Sequence, residues 1–214
     1  MSGIFARFRI GIAAAVLTLF AGVGAIHAAE QPSADQILNA LKPKSPTRSL
    51  AGGAPPAQKT LSPEEQSFID TVRRKRTRSL SVRERERVAT IAKERPSIDL
   101  EINFEYNSAN ISPKAVAAVR ELGKALSNPE LKGGIFLVAG HTDASGGEEY
   151  NQGLSERRAE TIKRYLIEHY DLKAENLVAV GYGKTQLKNA SNPLADENRR
   201  VQVVNMETAK AARN

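Results

Sequence analysis

The sequence predicts an α+β fold, an α/β sandwich in which helices pack on a sheet, over residues 97–206. The first observation is that short apolar or alternating runs, typical of strands, are interleaved with longer runs whose apolar residues recur every three or four positions. The second is that Gly and Pro separate these runs, as the elements of such a domain require. The predicted order of elements is β-α-β-α-β-β.

The length and composition of the chain limit the number of domains and the chemistry that it can carry. The chain has 214 residues, of which 41% are hydrophobic, enough for one domain with extensions. It contains no Cys, which excludes disulfides, thiolate metal sites, a Cys nucleophile and lipid attachment to an N-terminal cysteine.

Residues 1–28 are typical of a signal peptide. Arg7 and Arg9 precede an apolar run over 10–26 that becomes rich in small residues towards its end. The run is also just long enough to remain as an uncleaved membrane anchor. Under both alternatives we expect the rest of the chain to be exported and to lie outside the cytoplasmic membrane.

Residues 29–61 are predicted to form a flexible linker. Within it, 35–41 has the pattern of a short helix, whereas 42–59 holds four Pro and two Gly and lacks the apolar residues to bury a core.

A basic helical segment is predicted over 62–96. Ser62-Pro63 is a helix start, and Ser81 is a second one before a run that stops at Pro96. Residues 70–95 hold ten Lys/Arg against four Asp/Glu, whereas 97–206 hold thirteen against fifteen. The segment is interpreted either as a surface for anionic lipid, lipopolysaccharide or glycan, or as a solvated hairpin packed on the domain. Nucleic acid is not expected as a partner of an exported chain.

The domain at 97–206 follows in order. Strands are predicted at 100–104, 135–139, 177–180 and 200–204, and helices at 112–128 and from about 148 to 169. Residues 207–214 are predicted to be a short tail.

Asp143 and Arg158 are the candidate site residues. Asp143 follows a buried strand and faces a helix N-terminus, a common ligand site in α/β sheets. On a helical projection Arg158 falls in the apolar stripe, and a buried guanidinium requires a partner. Asp143 is the candidate partner of Arg158. The two residues form either a structural ion pair or two sides of a cavity that holds a ligand. Asn151 lies on the same side of the helix, nearer the loop.

Five motifs in this region resemble the OmpA C-terminal-like domain, the peptidoglycan-binding domain of OmpA, Pal and MotB-type proteins. They are Gly140-His141-Thr142-Asp143 with Gly146, Tyr150-Asn151, Leu154-Ser155-Glu156-Arg157-Arg158-Ala159, Gly181-Tyr182-Gly183 and Asn198-Arg199-Arg200-Val201. The resemblance extends from about residue 102 to 204.

The resemblance implies that the protein binds peptidoglycan without acting as an enzyme. This binding would anchor or organise the cell envelope, and the exported protein would be in the periplasm, associated with the outer membrane or the cell wall. The implied ligand is the diaminopimelate of the stem peptide, with Asp143 on its ammonium and Arg158 on its carboxylate. Asn151 would add a polar contact, Thr142 and the 105–107 loop would line the rim, and Arg200 or Arg199 would close another side. The predicted ligand-binding residues are Asp143, Arg158, Asn151, Thr142, Arg200 and Asn107.

The same residues and the basic segment allow other interpretations. No cofactor is expected. A metal site built from His141, Asp143, Glu148 and Glu149 would compete with Arg158 for Asp143, and no metal is expected. The functional alternatives are a peptidoglycan-cleaving enzyme and an envelope scaffold that binds outer-membrane lipid or protein through 62–95. The sequence leaves a homodimer open.

Overall fold

The computed structural model describes residues 31–43, 61–75, 77, 80–102, 104 and 108–207. The predicted signal peptide, most of the predicted linker, Asn107 and nearly all of the tail lie outside this part of the chain. The described helices and strands are α1 Ala34–Leu41, α2 Pro63–Val72, α3 Val82–Ala92, β1 Ser97–Leu100, α4 Pro113–Leu126, β2 Phe136–His141, α5 Glu148–Tyr170, β3 Leu177–Gly183 and β4 Val201–Asn205. The predicted α+β class and the order β-α-β-α-β-β are confirmed.

One four-stranded mixed sheet, in the order β1-β4-β2-β3, forms the centre of the fold. β2 and β3 are parallel, with Phe136 opposite Leu177, so their carboxyl ends meet at one edge of the sheet. β4 lies antiparallel between β1 and β2. This arrangement brings the loop after β2, the end of β3 and the start of β4 close together.

One face of the sheet is covered by α4 and α5, with α1 packed on α4. α4 begins at a Ser112 cap, whose hydroxyl accepts from the Ala115 backbone N–H, with Pro113 in the first turn. The core on this side is a single apolar cluster, because every third or fourth helix residue meets alternate strand residues. Its fully buried members include Leu100, Leu122, Leu126, Val138, Ile162, Leu166 and Val203.

The opposite face is covered by α2 and α3, the two helices of the basic segment. Each begins with a capping box, Ser62 with Glu65 and Ser81 with Glu84. Their apolar residues enter a second cluster with the strands, which includes Ile69, Val72, Val88, Ile91, Leu137, Val180 and Val204. The basic segment is thus packed on the domain as a helical hairpin.

Two elements differ from the predictions. α1 forms where a short helix was expected at 35–41, but it is packed on the domain, and β1 lies at Ser97–Leu100 instead of 100–104. α1, inside the predicted linker, is docked: Glu121 Oε2 accepts from the Ala34 N–H at 2.9 Å, and the Leu41 carbonyl accepts from Asn205 Nδ2 at 3.0 Å. β1 ends at Leu100 instead of extending to 104, since its pairing with β4 stops at Val201.

Within the described part of the chain, none of the helices combines the length and the apolar character that a membrane crossing needs.

Candidate functional site

The candidate site is built on the loop between β2 and α5. Gly140 and Gly181 allow α5 to lie directly on the sheet at this point. A Cβ on Gly140 would be 2.3 Å from the Ser155 carbonyl oxygen, and one on Gly181 would be 2.5 Å from the Glu156 backbone nitrogen. The loop then starts beside β3, where the Thr142 N–H donates to the Gly183 carbonyl at 2.9 Å.

Asp143 is held by the loop that carries it. Its Oδ1 accepts from the Ser145 N–H at 3.0 Å, and its Oδ2 accepts from Arg199 Nη1 at 2.8 Å. The turn continues through Gly146 at a φ of +82°, a conformation that L side chains rarely adopt. The Asp143 side chain remains 14% exposed, so a ligand can reach the carboxylate.

Asn151 fixes the same loop from the first turn of α5. Its side chain is buried, and Nδ2 donates to the Ser145 carbonyl at 2.6 Å. No side chain caps this helix at Gly147, and Glu148 and Glu149 occupy its first turn, where negative charge is favoured. In this structure Asn151 therefore positions the loop that carries Asp143.

Arg158 lies two turns further along α5 and is partly buried. Its Nε donates to the Ser108 carbonyl at 3.1 Å, and its guanidinium carbon lies 4.8 Å from the centre of the Phe104 ring. Burial lowers the pKa of Arg158, with Tyr150 acting in the opposite direction, Arg199 lowering it further and Asp143 raising it. The charges of Arg199 and Asp143 thus act on Arg158, and the contacts with Ser108 and Phe104 fix where its guanidinium lies.

The ion pair of Asp143 is formed with Arg199 and not with Arg158. Hydrogen bonding to Asp143 raises the pKa of Arg199, which also contacts Asp196 at 2.5 Å. A direct Asp143–Arg158 ion pair, one of the two alternatives from the sequence, is absent among the contacts of the described residues.

Arg200 points to the opposite face of the sheet. Its Nε lies 3.3 Å from Asp99 Oδ1, and it lines a cavity next to α3. Side chains alternate along a strand, and Val201 faces α5, so Arg199 shares that side whereas Arg200 does not. This alternation is the signal that could have selected Arg199 over Arg200 from the sequence.

The remaining predicted positions lie around the loop. Thr142 is buried, and its hydroxyl has no hydrogen-bond partner among the described residues. The neighbouring His141 is on the opposite face, with its ring 5.4 Å from that of Tyr182. Burial, and then the charge of Arg200, lowers the pKa of His141 to about 3, so the ring is neutral at pH 7.

The arrangement at the α5 face suits a zwitterion. Asp143 and Asp196 offset the charge of Arg199, so Arg158 is the guanidinium without an ion pair among the described residues, and it favours a ligand that brings a carboxylate. Nε is the one nitrogen of Arg158 with a hydrogen bond among the described residues, and the parallel N–H groups of a guanidinium match the two oxygens of a carboxylate. Asp143 offers an acceptor for an ammonium group.

Comparison with known proteins covers the same region. Residues 103–200 match the model of the OmpA family. Outer membrane protein A of Escherichia fergusonii is 40% identical over 85 residues, which are 40% of this chain and 35% of that protein. The protein of the same name from Escherichia coli O157:H7 is also 40% identical over 85 residues, again 40% of this chain, but these cover 24% of its length. The chain therefore spans between a quarter and about a third of these curated relatives.

Two solved structures are similar to about half of this chain. An outer membrane protein from Borrelia burgdorferi B31 is 30% identical, with 50% of this chain and 84% of that chain covered and a TM-score of 0.40. The peptidoglycan-associated lipoprotein from Burkholderia pseudomallei is 26% identical, with 48% of this chain and 86% of that chain covered and a TM-score of 0.40.

The match over 103–200 contains the strand, the loop and the helix that carry Asp143 and Arg158. Over residues 103–200, just under half of its length, the chain is therefore similar to the OmpA family.

Proposed function

We propose that this protein binds peptidoglycan without cleaving it, through the free ammonium and carboxylate of a diaminopimelate residue in the stem peptide, and so anchors or organises the cell envelope. The single observation that supports this most directly is the Asp143–Arg199 ion pair in the loop that leads into α5, the helix that carries Arg158. The resemblance of the surrounding motifs to peptidoglycan-binding domains supports the same ligand class.

Asp143 is the proposed acceptor for the ligand ammonium. Its Oδ2 already accepts from Arg199, and its Oδ1 accepts from the Ser145 N–H. A carboxylate has about four lone-pair positions, so it can keep both of these contacts while accepting from one more donor. Asn151 contributes by holding Ser145 and therefore the direction of the Asp143 side chain.

Arg158 is the proposed donor to the ligand carboxylate. The Phe104 ring and the Ser108 carbonyl fix one side of the guanidinium, which reduces the entropy lost when a ligand binds. Partial burial reduces solvent screening, and a fork of parallel N–H groups matches the two oxygens of a carboxylate. Thr142, Asn107 and Arg199 are proposed to line the rim.

The proposal is tested by sedimentation with purified sacculi. Asp143→Asn removes the charge and keeps the shape, and Arg158→Ala removes the fork. Loss of one partner of a desolvated charge pair costs about 2–5 kcal/mol, so we expect each variant to bind at least about tenfold more weakly. Arg157→Ala, an exposed neighbour on the same helix, is the matched control and should bind as the unmodified protein does. Free diaminopimelate should compete.

Unchanged sedimentation of both Asp143→Asn and Arg158→Ala would refute the proposed site. The alternatives give other outcomes in the same experiment. Soluble muropeptides released from the sacculi would indicate a peptidoglycan-cleaving enzyme. Sedimentation with vesicles of anionic lipid, but not with sacculi, would favour a scaffold that uses residues 62–95, whose outer face exposes Arg83, Arg87 and Lys93.

A further inference from the structure

A second cavity, of about 640 Å³, lies on the sheet face opposite Asp143. It opens between α3 and the loop that follows β3, and its floor is formed by the side chains of β4 that face α3. Charged and amide groups on its walls include Lys93, Lys184, Gln186, Arg200 and Gln202. Its α3 wall lies outside the 103–200 match, so the cavity is a property of this chain and not of the matched domain alone.

Arg200 is the central polar group of this cavity, and its hydrogen bonds are incomplete. The residue is 8% exposed. Its Nε lies 3.3 Å from Asp99 Oδ1 but makes no hydrogen bond within the described chain. Its Nη1 and Nη2 reach only the Gln186 carbonyl, at 3.5 Å and 3.4 Å, beyond the 2.7–3.2 Å range of ordinary N–H···O bonds. Buried guanidinium groups usually have stronger partners than these.

The charges around Arg200 favour an anion. Asp99 is the one carboxylate in contact with Arg200 among the described residues, and it also pairs with Lys188 at 3.0 Å. Lys93 and Lys184 line the cavity as well. Arg200 and Lys188 therefore face one carboxylate, with Lys93 as a further cation on the wall, whereas the Lys184 ammonium donates to the Gly146 carbonyl at 3.1 Å. A guest with a single negative charge would reduce the remaining repulsion.

The rest of the lining is apolar and small. Ala89 and Ala92 of α3 and Leu187 of the loop lie along the walls, which leaves space for the body of a small molecule. Tyr182 lines the same cavity, and its buried hydroxyl has no hydrogen-bond partner in the described chain.

We propose that this cavity binds a small organic monocarboxylate. The carboxylate accepts from the Nη groups of Arg200, replacing the long contacts to Gln186, and Lys93 at the mouth adds a second positive charge. The apolar body of the ligand lies against Ala89, Ala92 and Leu187. The site is separate from the proposed peptidoglycan site, because its side chains extend from the other face of the sheet.

The experiment is an NMR titration of the purified protein with benzoate, with benzamide as the neutral molecule of the same shape and with inorganic phosphate. We expect benzoate to shift the backbone amides of Gln186, Leu187 and Arg200 with an affinity at least tenfold higher than that of benzamide. Equal affinities for benzoate and benzamide, or tighter binding of phosphate at these residues, would overturn the assignment to a monocarboxylate.

Three variants locate the binding. Arg200→Lys keeps the charge beside Asp99 but loses the fork, and should weaken benzoate binding at least tenfold. Lys93→Gln, at an exposed position that does not endanger folding, should weaken it several-fold. Arg158→Ala removes the guanidinium on the other face and should leave benzoate binding unchanged. Loss of binding in Arg158→Ala, with retention in Lys93→Gln, would refute the cavity and assign the carboxylate to the Asp143 side.

Discussion

At the residue scale, two glycines set the distance between α5 and the sheet. Gly140 and Gly181 lie at equivalent positions of the parallel strands β2 and β3. Both face the backbone of α5 around Ser155. Because the helix lies this close to the sheet, the Ser155 hydroxyl can accept a hydrogen bond from the Gly183 N–H at 2.8 Å. The helix, and with it Arg158, is therefore fixed by contacts that only a residue without a side chain permits.

Gly140→Ala should destabilise the protein. The new Cβ would lie 2.3 Å from the Ser155 carbonyl oxygen, a backbone atom that cannot move without shifting the helix. We expect a loss of about 1–3 kcal/mol or more in the free energy of unfolding, measured in urea. Gly153→Ala in α5 is the contrasting variant, since its Cβ meets only the flexible end of Arg157, at 3.3 Å. That change should stabilise the helix by up to about 1 kcal/mol. Equal effects of the two substitutions would contradict the close packing of α5.

His141 makes the stability dependent on pH. An unfolded histidine binds its proton near pH 6.5, whereas burial, followed by the charge of Arg200, lowers the pKa of folded His141 to about 3. The folded protein thus holds fewer protons than the unfolded chain between these values. The contribution of His141 to the free energy of unfolding is therefore fully present above about pH 7 and is lost as the pH falls through 6.5 towards 3.

The pH prediction is tested with His141→Phe. In urea unfolding between pH 7 and pH 5, the unmodified protein should lose up to about 1.4 kcal/mol per pH unit more than the variant does. The two curves should run parallel above pH 7, whatever the difference in absolute stability. Parallel curves throughout the acidic range would show that His141 is not the group responsible.

At the element scale, the α2–α3 hairpin is part of the folded domain. Its apolar residues share a cluster with β2, β3 and β4. Further contacts bind it to α5: Thr77 donates to Glu160 Oε2 at 2.6 Å, and Arg85 lies 3.6 Å from Glu156. Arg74, Arg83, Arg87 and Lys93 are exposed, because the apolar residues of the segment pack against the sheet. A sheet covered on only one face would leave Leu137 and Val180 in water.

Ile69→Ala in α2 should therefore destabilise the whole domain. Ile69 is 1% exposed, and truncation of a buried isoleucine costs about 2–5 kcal/mol. Val82→Ala in α3 is the control, because Val82 is 59% exposed, and its cost should be at most about 0.5 kcal/mol. Urea unfolding followed by far-UV circular dichroism should give a single transition in each case. A transition of unchanged midpoint for Ile69→Ala would indicate that the hairpin is not coupled to the sheet.

At the scale of the whole molecule, the sheet separates the two proposed sites. Asp143, Arg199 and Arg158 lie on the α5 side, whereas Arg200, His141 and Tyr182 lie on the α3 side. The separation arises within three consecutive residues of the chain, because Arg199 and Val201 point one way and Arg200 points the other. The basic segment covers the second face, so its exposed Arg83, Arg87 and Lys93 lie away from the proposed peptidoglycan site.

The sequence predicted the fold well because hydrophobic periodicity is a local property. The alternation around Val201 and Val203 and the spacing of Leu122 and Leu126 are sufficient to identify a strand and a helix. Docking of α1 was not predicted, since it depends on Asn205 and Glu121, which are far from it in the chain. For Asp143 the sequence predicted the place at a strand end, but it offered Arg158 as the candidate partner, whereas the structure pairs Asp143 with Arg199. Its partner Arg199 is 56 residues away.

The sequence by itself determined the α+β class, the order of the elements and the loop that brings Asp143 to the start of α5. It did so because apolar spacing, caps and glycines act between neighbours in the chain. The tertiary structure decided which guanidinium meets Asp143, where the hairpin of α2 and α3 packs, and that Arg200 faces a cavity of its own. Those outcomes depend on strand register and on which face of the sheet each side chain meets, and both are set only when distant segments pair.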